Sequence, residues 1–232
     1  MKKVVLNLVI VAFAAAVFMS CGGGSYKIKM TTESGGDFPF SLAGSGIATV
    51  DWGDGSEKNT LTLNEDGVLF EHNYKIAKVH SIIVKGDNII SLDCSDNQLT
   101  SLDVSKNTAL KELHCSYNQL INLDLRKNIK LESLYCDDNQ LTSLDVSKNT
   151  ALKELHCSYN QLINLDLRKN SFLIYLDCKN NQFTTASLNA LFDSLHSNNI
   201  KNYIKTLSVT YNPGEDDCNY SIAERRGWKF RL

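Results

Sequence analysis

The stretch Leu113-His-Cys-Ser-Tyr-Asn-Gln-Leu120 recurs without change as Leu155-His-Cys-Ser-Tyr-Asn-Gln-Leu162. Its cysteine belongs to a set of five that stand 21 residues apart throughout, namely Cys94, Cys115, Cys136, Cys157 and Cys178. A fixed period of this size predicts that the chain stacks copies of one structural unit. Such an array has a long repeated surface and no enclosed pocket, which favours binding over catalysis.

Other positions keep the same period. Leucine precedes each of these cysteines by two residues, and asparagine follows it by three. Each turn also contains a weaker copy of itself, because Leu102-Asp-Val-Ser-Lys-Asn107 repeats the pattern of Leu92-Asp-Cys-Ser-Asp-Asn97. Residues 96–128 and 138–170 are identical over 33 positions, which indicates a recent duplication.

The residues around each cysteine predict a short strand. Alternate side chains of a strand point to opposite faces, so Leu113 and Cys115 should face inward while Glu112, His114 and Ser116 face outward. Asparagine can hydrogen-bond neighbouring backbone and tolerates tight-turn dihedrals, so an inward column of asparagines should satisfy the amides of the turns. The pattern over residues 88–183 resembles the bacterial leucine-rich repeat in its nested 21-residue form. That resemblance implies a right-handed solenoid with one short parallel strand per turn.

Residues 26–87 have a different composition and predict antiparallel β-structure. Alternation and turn residues indicate four strands, at Tyr26–Thr32, Asp37–Leu42, Ile47–Trp52 and Val79–Val84. The motifs Val50-Asp-Trp-Gly-Asp-Gly55 and His72-Asn-Tyr74 resemble those of a shortened PKD-type immunoglobulin-like β-domain. The alternative is a β-cap fused to the repeats.

The period fails after Asn181, and residues 184–232 predict an α/β cap that resembles the closing segment of such bacterial repeats. One apolar helix stripe with Thr185 as N-cap comes first, formed by Leu188, Leu191, Phe192 and Leu195. A strand at Thr206–Thr210 and a short helix from Asp217 to Arg226, ended by Gly227, follow. A cap is expected because an open last turn would expose its core and a bare strand edge.

The first 25 residues resemble the leader of an exported lipoprotein. Residues 1–20 have a basic start and an apolar stretch that is short for a spanning helix, and Phe18-Met-Ser-Cys21 resembles a lipobox with Cys21 as the lipidated residue. Ordinary signal cleavage, with Cys21 incidental, is the alternative. Residues 21–25 would be a flexible tether, and Gly22 after Cys21 suggests sorting to the outer membrane, on its periplasmic or cell-surface side. Membrane contact is expected only through the lipid.

The outward strand positions are the candidate ligand face. Down the predicted ladder they are Asp93, His114, Tyr135, His156 and Asp177, and Tyr117 and Tyr159 lie three residues after the two histidines. Tyrosine and histidine are typical of binding faces. The alternative is that the duplication copied residues that a solvated face merely tolerates.

Catalytic, cofactor and metal sites are not predicted. Thiols on parallel strands about 4.8 Å apart have poor geometry for disulfides, so the five periodic cysteines should be reduced and buried. The histidines beside Cys115 and Cys157 point to the opposite face and cannot activate them. A further column of carboxylates predicts lysine pairing and solvation, with calcium bridging as the alternative; its members are Asp103, Asp124, Asp145 and Asp166.

The functional expectation is a monomeric scaffold that binds a protein of a host or neighbouring-cell surface, as the family resemblance implies. Carbohydrate binding, through the PKD-like domain or the tyrosine and histidine face, and a purely structural role as an envelope spacer are the alternatives. Removing residues 1–20 takes away two lysines and no acidic residue, which changes the net charge from −2 to −4. With no basic stripe, the chain is not expected to bind nucleic acid.

Overall fold

The computed structural model describes residues 26–231, so the predicted leader, lipidation site and tether lie outside the described residues. Within this range the strands are β1 (Tyr26–Thr32), β2 (Gly36–Asp51), β3 (Asn59–Thr62), β4 (Val68–Tyr74), β5 (His80–Asp93), β6 (Leu99–Asp103), β7 (Glu112–His114), β8 (Ser133–Tyr135), β9 (Glu154–His156), β10 (Tyr175–Asp177), β11 (Lys205–Ser208) and β12 (Trp228–Phe230). The helices are α1 (Thr185–Ser194) and α2 (Ser221–Arg225). None of the helices in this part of the chain has the length and apolar character needed to cross a membrane.

Short parallel strands form one continuous ladder through the repeats. β5, β7, β8, β9 and β10 pair in that order, and Leu92, Leu113 and Leu134 stand beside one another at the 21-residue interval. The ladder continues in parallel from β10 to β11 and from β11 to β12. The prediction of one short parallel strand per 21-residue turn is therefore confirmed.

The interior of the stacked turns is made of leucine and cysteine. All five periodic cysteines are fully buried and unbonded to one another, as predicted, and the leucines two residues before them are equally buried. Burial raises the pKa of each of these thiols well above its usual value, so they stay protonated. Three of them donate to a strand carbonyl of the next turn, as Cys136 Sγ does to His156 O at 3.3 Å.

One asparagine per turn joins neighbouring turns, and these residues form the first asparagine column: Asn97, Asn118, Asn139, Asn160, Asn181 and Asn212. Asn139 is representative. Its Oδ1 accepts from Leu120 N in the preceding turn at 2.9 Å, and its Nδ2 donates to Cys115 O at 3.0 Å and to Cys136 O at 3.2 Å. The predicted inward asparagines therefore satisfy turn amides, and they do so across turns.

A second asparagine column runs through the other half of each turn: Asn107, Asn128, Asn149 and Asn170. The Nδ2 of Asn149 donates to Leu125 O at 3.0 Å and to Asn128 O at 2.9 Å. Its buried Oδ1 has no partner, and the Oδ1 atoms of the other three members likewise have none within the described residues. Asn128, Asn149 and Asn170 therefore join successive turns through Nδ2 only, and the Nδ2 of Asn107 has no partner within the described residues.

The repeat extends one turn further than predicted. Leu207, Val209 and Asn212 occupy the positions of leucine, cysteine and asparagine in a sixth turn, and Asn212 Oδ1 accepts from Phe183 N at 3.1 Å. The 21-residue spacing does end at Asn181, as predicted, but the stacking continues into the segment that was assigned to the cap. Helix α1 is inserted between Asn181 and Asn212, so the spacing grows from 21 to 31 residues while the stacking register is kept.

The segment before the repeats is antiparallel and continuous with them. β1 pairs with β5 on one side and β6 on the other, so Met30 faces both Ile82 and Leu102. β6 is an extra strand in the first turn, and β1 thereby covers the backbone that this turn would leave unpaired. The predicted domain boundary at 87/88 falls inside β5, which pairs with β1, β2 and β7.

Several predicted elements differ in detail. The two strands predicted at 37–42 and 47–52 are one strand, β2, whose pairing with β5 shifts at Gly44 and again after Ser45. β3 and most of β4 were not predicted. The N-cap of α1 is Thr184 rather than Thr185, and α2 begins at Ser221 rather than Asp217. Gly44 explains why β2 is one strand instead of two, since it has a φ of +154° and lies against the Asn88 carbonyl.

The motif residues of the N-terminal segment pack on one another. The Trp52 and His72 rings stack with centroids 4.8 Å apart, and His72 Nε2 lies 2.7 Å from Asp54 Oδ2. Tyr74 OH donates to Trp52 O at 2.7 Å. Hydrogen bonds from Ser56 hold the pKa of Asp54 well below its usual value, with His72 adding to the shift. These side chains therefore stabilise the turn after β2.

Candidate functional site

Four rings stack across neighbouring strands to form what we call the ring column: His114, Tyr135, His156 and Tyr175. Successive centroids are 4.3, 4.2 and 4.5 Å apart, and the planes are within 9°, 19° and 23° of parallel. The strand separation of about 4.8 Å brings residues at one register into this contact. Three members were predicted as ligand-face residues, and the structure does bring them together.

Tyr175 was not predicted, because it stands one position away from the others in its strand, in register with Glu154 rather than His156. Its ring reaches His156 diagonally across the ladder. The guanidinium of Arg231 lies over the Tyr175 ring at this end of the column, with Cζ 5.2 Å from the ring centroid. The sequence signal that could have identified Tyr175 was an aromatic residue at a strand position next to those of the predicted face.

Stacking decides what the ring column can contact. Each inner ring has a neighbour on both faces, so Tyr135 and His156 present edges and not faces to a ligand. All four rings are half-buried. Sugars bound by aromatic stacking need an open ring face, and the interior of the column offers none.

Polar contacts fix the orientation of the column. Tyr135 OH donates to Glu154 Oε2 at 2.7 Å, and burial together with this carboxylate raises the pKa of Tyr135 to about 12. Burial lowers the pKa of His156, against the opposing effect of nearby carboxylates such as Asp137. Tyr135 therefore remains a neutral donor at physiological pH.

The two aspartates of the predicted face differ. Asp93 is exposed, and its Oδ1 accepts from Ser95 N at 3.0 Å. Asp177 is only 7% exposed and its Oδ2 lies 3.3 Å from Lys179 Nζ, so it is buried and paired rather than available. Ser116 also differs from its predicted outward placement, since it is buried and donates to Asp137 Oδ2 at 3.3 Å.

A second set of exposed rings forms what we call the tyrosine row: Tyr117, Tyr159 and Tyr211. They are 62%, 47% and 72% exposed. Each directly precedes an asparagine of the first column and has a left-handed φ, of 56°, 52° and 62°. Tyr211 was missed because it lies in the sixth turn, although the pattern Leu207-Ser-Val-Thr-Tyr-Asn212 was the signal that could have found it.

The row alternates with small polar residues. In the order in which the turns stack, the left-handed positions are Asp96, Tyr117, Asp138, Tyr159, Asn180 and Tyr211. A tyrosine therefore occurs at every second turn, at intervals of about 10 Å. The duplicated block ends at Asn170, so Tyr211 extends the alternation outside the copied sequence.

The acidic column on the other half-turn is satisfied locally. Arg126 and Arg168 bind the carboxylates of Asp124 and Asp166, and the hydrogen bonds from Arg126 lower the pKa of Asp124 to about 2. Asp103 and Asp145 accept from the amide nitrogen of a serine two residues later. Arginine thus provides the pairing that lysine was predicted to provide. In residues 26–231 no group of three metal-ligating side chains comes together.

Comparisons with known proteins give likenesses among solved structures. No protein-family model matches the chain, and no curated protein matches it. Among solved structures, the chain is similar to the functional domain of InlJ from Listeria monocytogenes, which includes a cysteine ladder. The two are 34% identical over 53% of this chain, with a TM-score of 0.44. The match spans 25% of the InlJ structure.

Proposed function

We propose that this chain is an exported, lipid-anchored leucine-rich-repeat solenoid that acts as a monomeric scaffold and binds a protein of a host or neighbouring-cell surface. The observation that carries the proposal is the tyrosine row, whose alternation continues beyond the duplicated block. Copying accounts for Tyr117 and Tyr159, but it does not account for Tyr211.

The backbone of the row supports this interpretation. A left-handed φ is uncommon for bulky residues and is strained by about 1 kcal/mol or more. Asp96, Asp138 and Asn180 fill the same position at neighbouring turns with side chains that tolerate it. Tyrosine at three such positions is thus costly for folding, and large exposed rings of this type are enriched in protein interfaces.

A protein partner is favoured over a carbohydrate by the packing of the other candidate rings. The ring column has its inner faces covered, and the aromatic residues of the N-terminal segment are occupied by one another. Since neither set offers an open stack of faces, the tyrosine row is the accessible aromatic surface that repeats along the turns, whereas the exposed rings of Phe172 and Tyr203 lie outside it. Carbohydrate binding and a spacer role are the outcomes against which the proposal is tested.

The test replaces Tyr117, Tyr159 and Tyr211 together with Asn, which suits the left-handed backbone and keeps the fold. A photo-crosslinking residue at position 159 should capture a protein on intact target cells, and the triple variant should lose surface binding by at least about tenfold. Tyr203→Asn is the control, because Tyr203 is 61% exposed but lies outside the row. Unchanged binding by the triple variant, or binding only in a glycan array, would overturn the proposal.

Lipid anchoring is tested separately. Cys21→Ala should prevent incorporation of labelled fatty acid and release the protein from membranes, whereas ordinary signal cleavage predicts no labelling of either form. Protease treatment of intact cells then distinguishes the cell-surface side of the outer membrane from the periplasmic side.

A further inference from the structure

The two ends of the ring column are different. At the Tyr175 end, the guanidinium of Arg231 covers the last ring. At the His114 end, the position in the preceding strand is occupied by Asp93, so no aromatic ring follows. His114 instead borders a cavity of about 280 Å³. One end of the stack is thus closed by a cation, and the other opens into a cavity.

Three parts of the chain line this cavity, which is open to solvent. Ser41 and Ala43 of β2 form one wall, the loop at 65–67 between β3 and β4 forms the second, and the strand face around His114 forms the third. The cavity exists because β2 pairs with β5 as far as Asp93, which holds the N-terminal segment beside the first turns. It is therefore a product of the junction that neither segment would make alone.

The charge of the cavity is strongly negative. Four carboxylates line it, from Glu65, Asp66, Asp93 and Glu112, against one ammonium from Lys111. None of these five side chains takes part in an ion pair within residues 26–231. The carboxylates are exposed along the cavity wall, and their net negative charge would attract a cation.

We propose that this cavity receives an arginine side chain of the protein partner, with its guanidinium stacked on the open face of His114 and hydrogen-bonded to the carboxylates of Asp93 and Glu112. The inference rests on the proposed function, for which it names one element of partner chemistry. A guanidinium is planar, stacks on rings and binds carboxylates through two parallel hydrogen bonds. Arg231 over Tyr175 is an example, within the chain, of the stacking part of this contact.

The size and charge of the cavity select among ligands. A volume of about 280 Å³ admits one long side chain and excludes a folded element. Phosphate, sulfate and acidic peptides are repelled by the excess of carboxylates. A lysine ammonium satisfies the charge but does not stack or form the bidentate contact, so arginine should bind several-fold more tightly than lysine.

The test uses the full chain in detergent micelles and three capped tripeptides, Gly-Arg-Gly, Gly-Lys-Gly and Gly-citrulline-Gly. Nuclear magnetic resonance of the histidine rings reports binding, with the His114 signals assigned from His114→Gln. The arginine peptide should shift the His114 signals. The citrulline peptide, which keeps the shape without the charge, should bind at least about tenfold more weakly.

Variants test whether the carboxylates of the cavity are responsible for binding the arginine peptide. The pair Glu65→Gln and Asp66→Asn lies in an exposed loop and should weaken the arginine peptide at least about fivefold, and Asp93→Asn should weaken it further. The pair Asp216→Asn and Asp217→Asn is the control, with the same loss of charge at exposed positions outside the cavity, and should have no effect. Equal binding of arginine and citrulline or of arginine and lysine peptides, or unshifted His114 signals, would refute this inference. The tyrosine-row experiment does not depend on that outcome, so the two failures are distinguishable.

Discussion

The two asparagine columns share a residue type, a period and complete burial, but they are bonded differently. In the first column both ends of the amide have partners from Asn118 onwards, because each Oδ1 accepts from a backbone N–H of the preceding turn, whereas the buried Oδ1 of Asn97 in the first turn has none within the described residues. In the second column only Nδ2 is used, from Asn128 onwards, and Oδ1 is buried without a partner. Identical periodicity in sequence therefore does not imply identical contributions to stability.

The largest effect is expected at the first column. Asn139→Ala removes the acceptor of Leu120 N and leaves this buried amide unpaired, and it also removes the donor to Cys115 O, which keeps its bond from Asn118 Nδ2. We expect a loss of about 3 kcal/mol in the free energy of unfolding. Urea denaturation followed by far-ultraviolet circular dichroism measures it. A loss as small as that of a surface substitution would contradict the bonding pattern.

The cysteine between the strand and this column provides the next test. Cys136→Ser places a hydroxyl in an apolar interior and should cost about 2 kcal/mol. Cys136→Val should cost less than about 1 kcal/mol, because Val209 fills the same position in the sixth turn. The same denaturation measurements compare the two. If serine were tolerated better than valine, the thiol would be acting as a polar group rather than an apolar one.

The matched substitution in the second column is Asn149→Ala. It loses two hydrogen bonds but also removes an amide oxygen that has no partner. We therefore expect a loss of only about 1 kcal/mol, a fraction of that at Asn139. Equal losses in the two variants would mean that the second column finds a partner for its oxygen in solution.

The smallest effect, and the only gain, is expected next to the first column. Tyr117→Asn replaces a strained bulky residue by one that accepts a left-handed φ, as Asn180 does at the same position in another turn. We expect an increase of about 0.5–1 kcal/mol in stability, with Gln119→Asn as an exposed control that should change little. A loss of stability would show that the Tyr117 ring contributes packing that outweighs its backbone strain.

The core of this fold could be predicted from sequence because its signal is local and repeated. Alternation places Leu113 and Cys115 on the same inward face whichever residue begins the strand. The period then determines which strands are neighbours. The boundaries could not be predicted in the same way. β5 runs through the predicted 87/88 boundary since its first part pairs with β1 and β2 and its last residues pair with β7, which is a non-local choice.

The residue types of the candidate face could be predicted from the sequence, but the geometry of their side chains could not. His114, Tyr135 and His156 were identified, but their stacking follows from strand separation and from a diagonal contact to Tyr175 that no periodic pattern contains. Asp177 was expected to be open, and its pairing with Lys179 explains its burial. Tyr211 escaped because an inserted helix hid the sixth turn from any search at a fixed period.

That inserted helix bears on how such a protein could be lengthened or re-engineered. Ten additional residues between Asn181 and Asn212 leave the hydrogen bonds of Asn212 and the parallel pairing of β10 with β11 in place. The connection after a first-column asparagine is thus a natural insertion point. Foreign loops or short domains grafted at the equivalent place after Asn118 or Asn160 should protrude from the surface while the stacked turns keep their pairing.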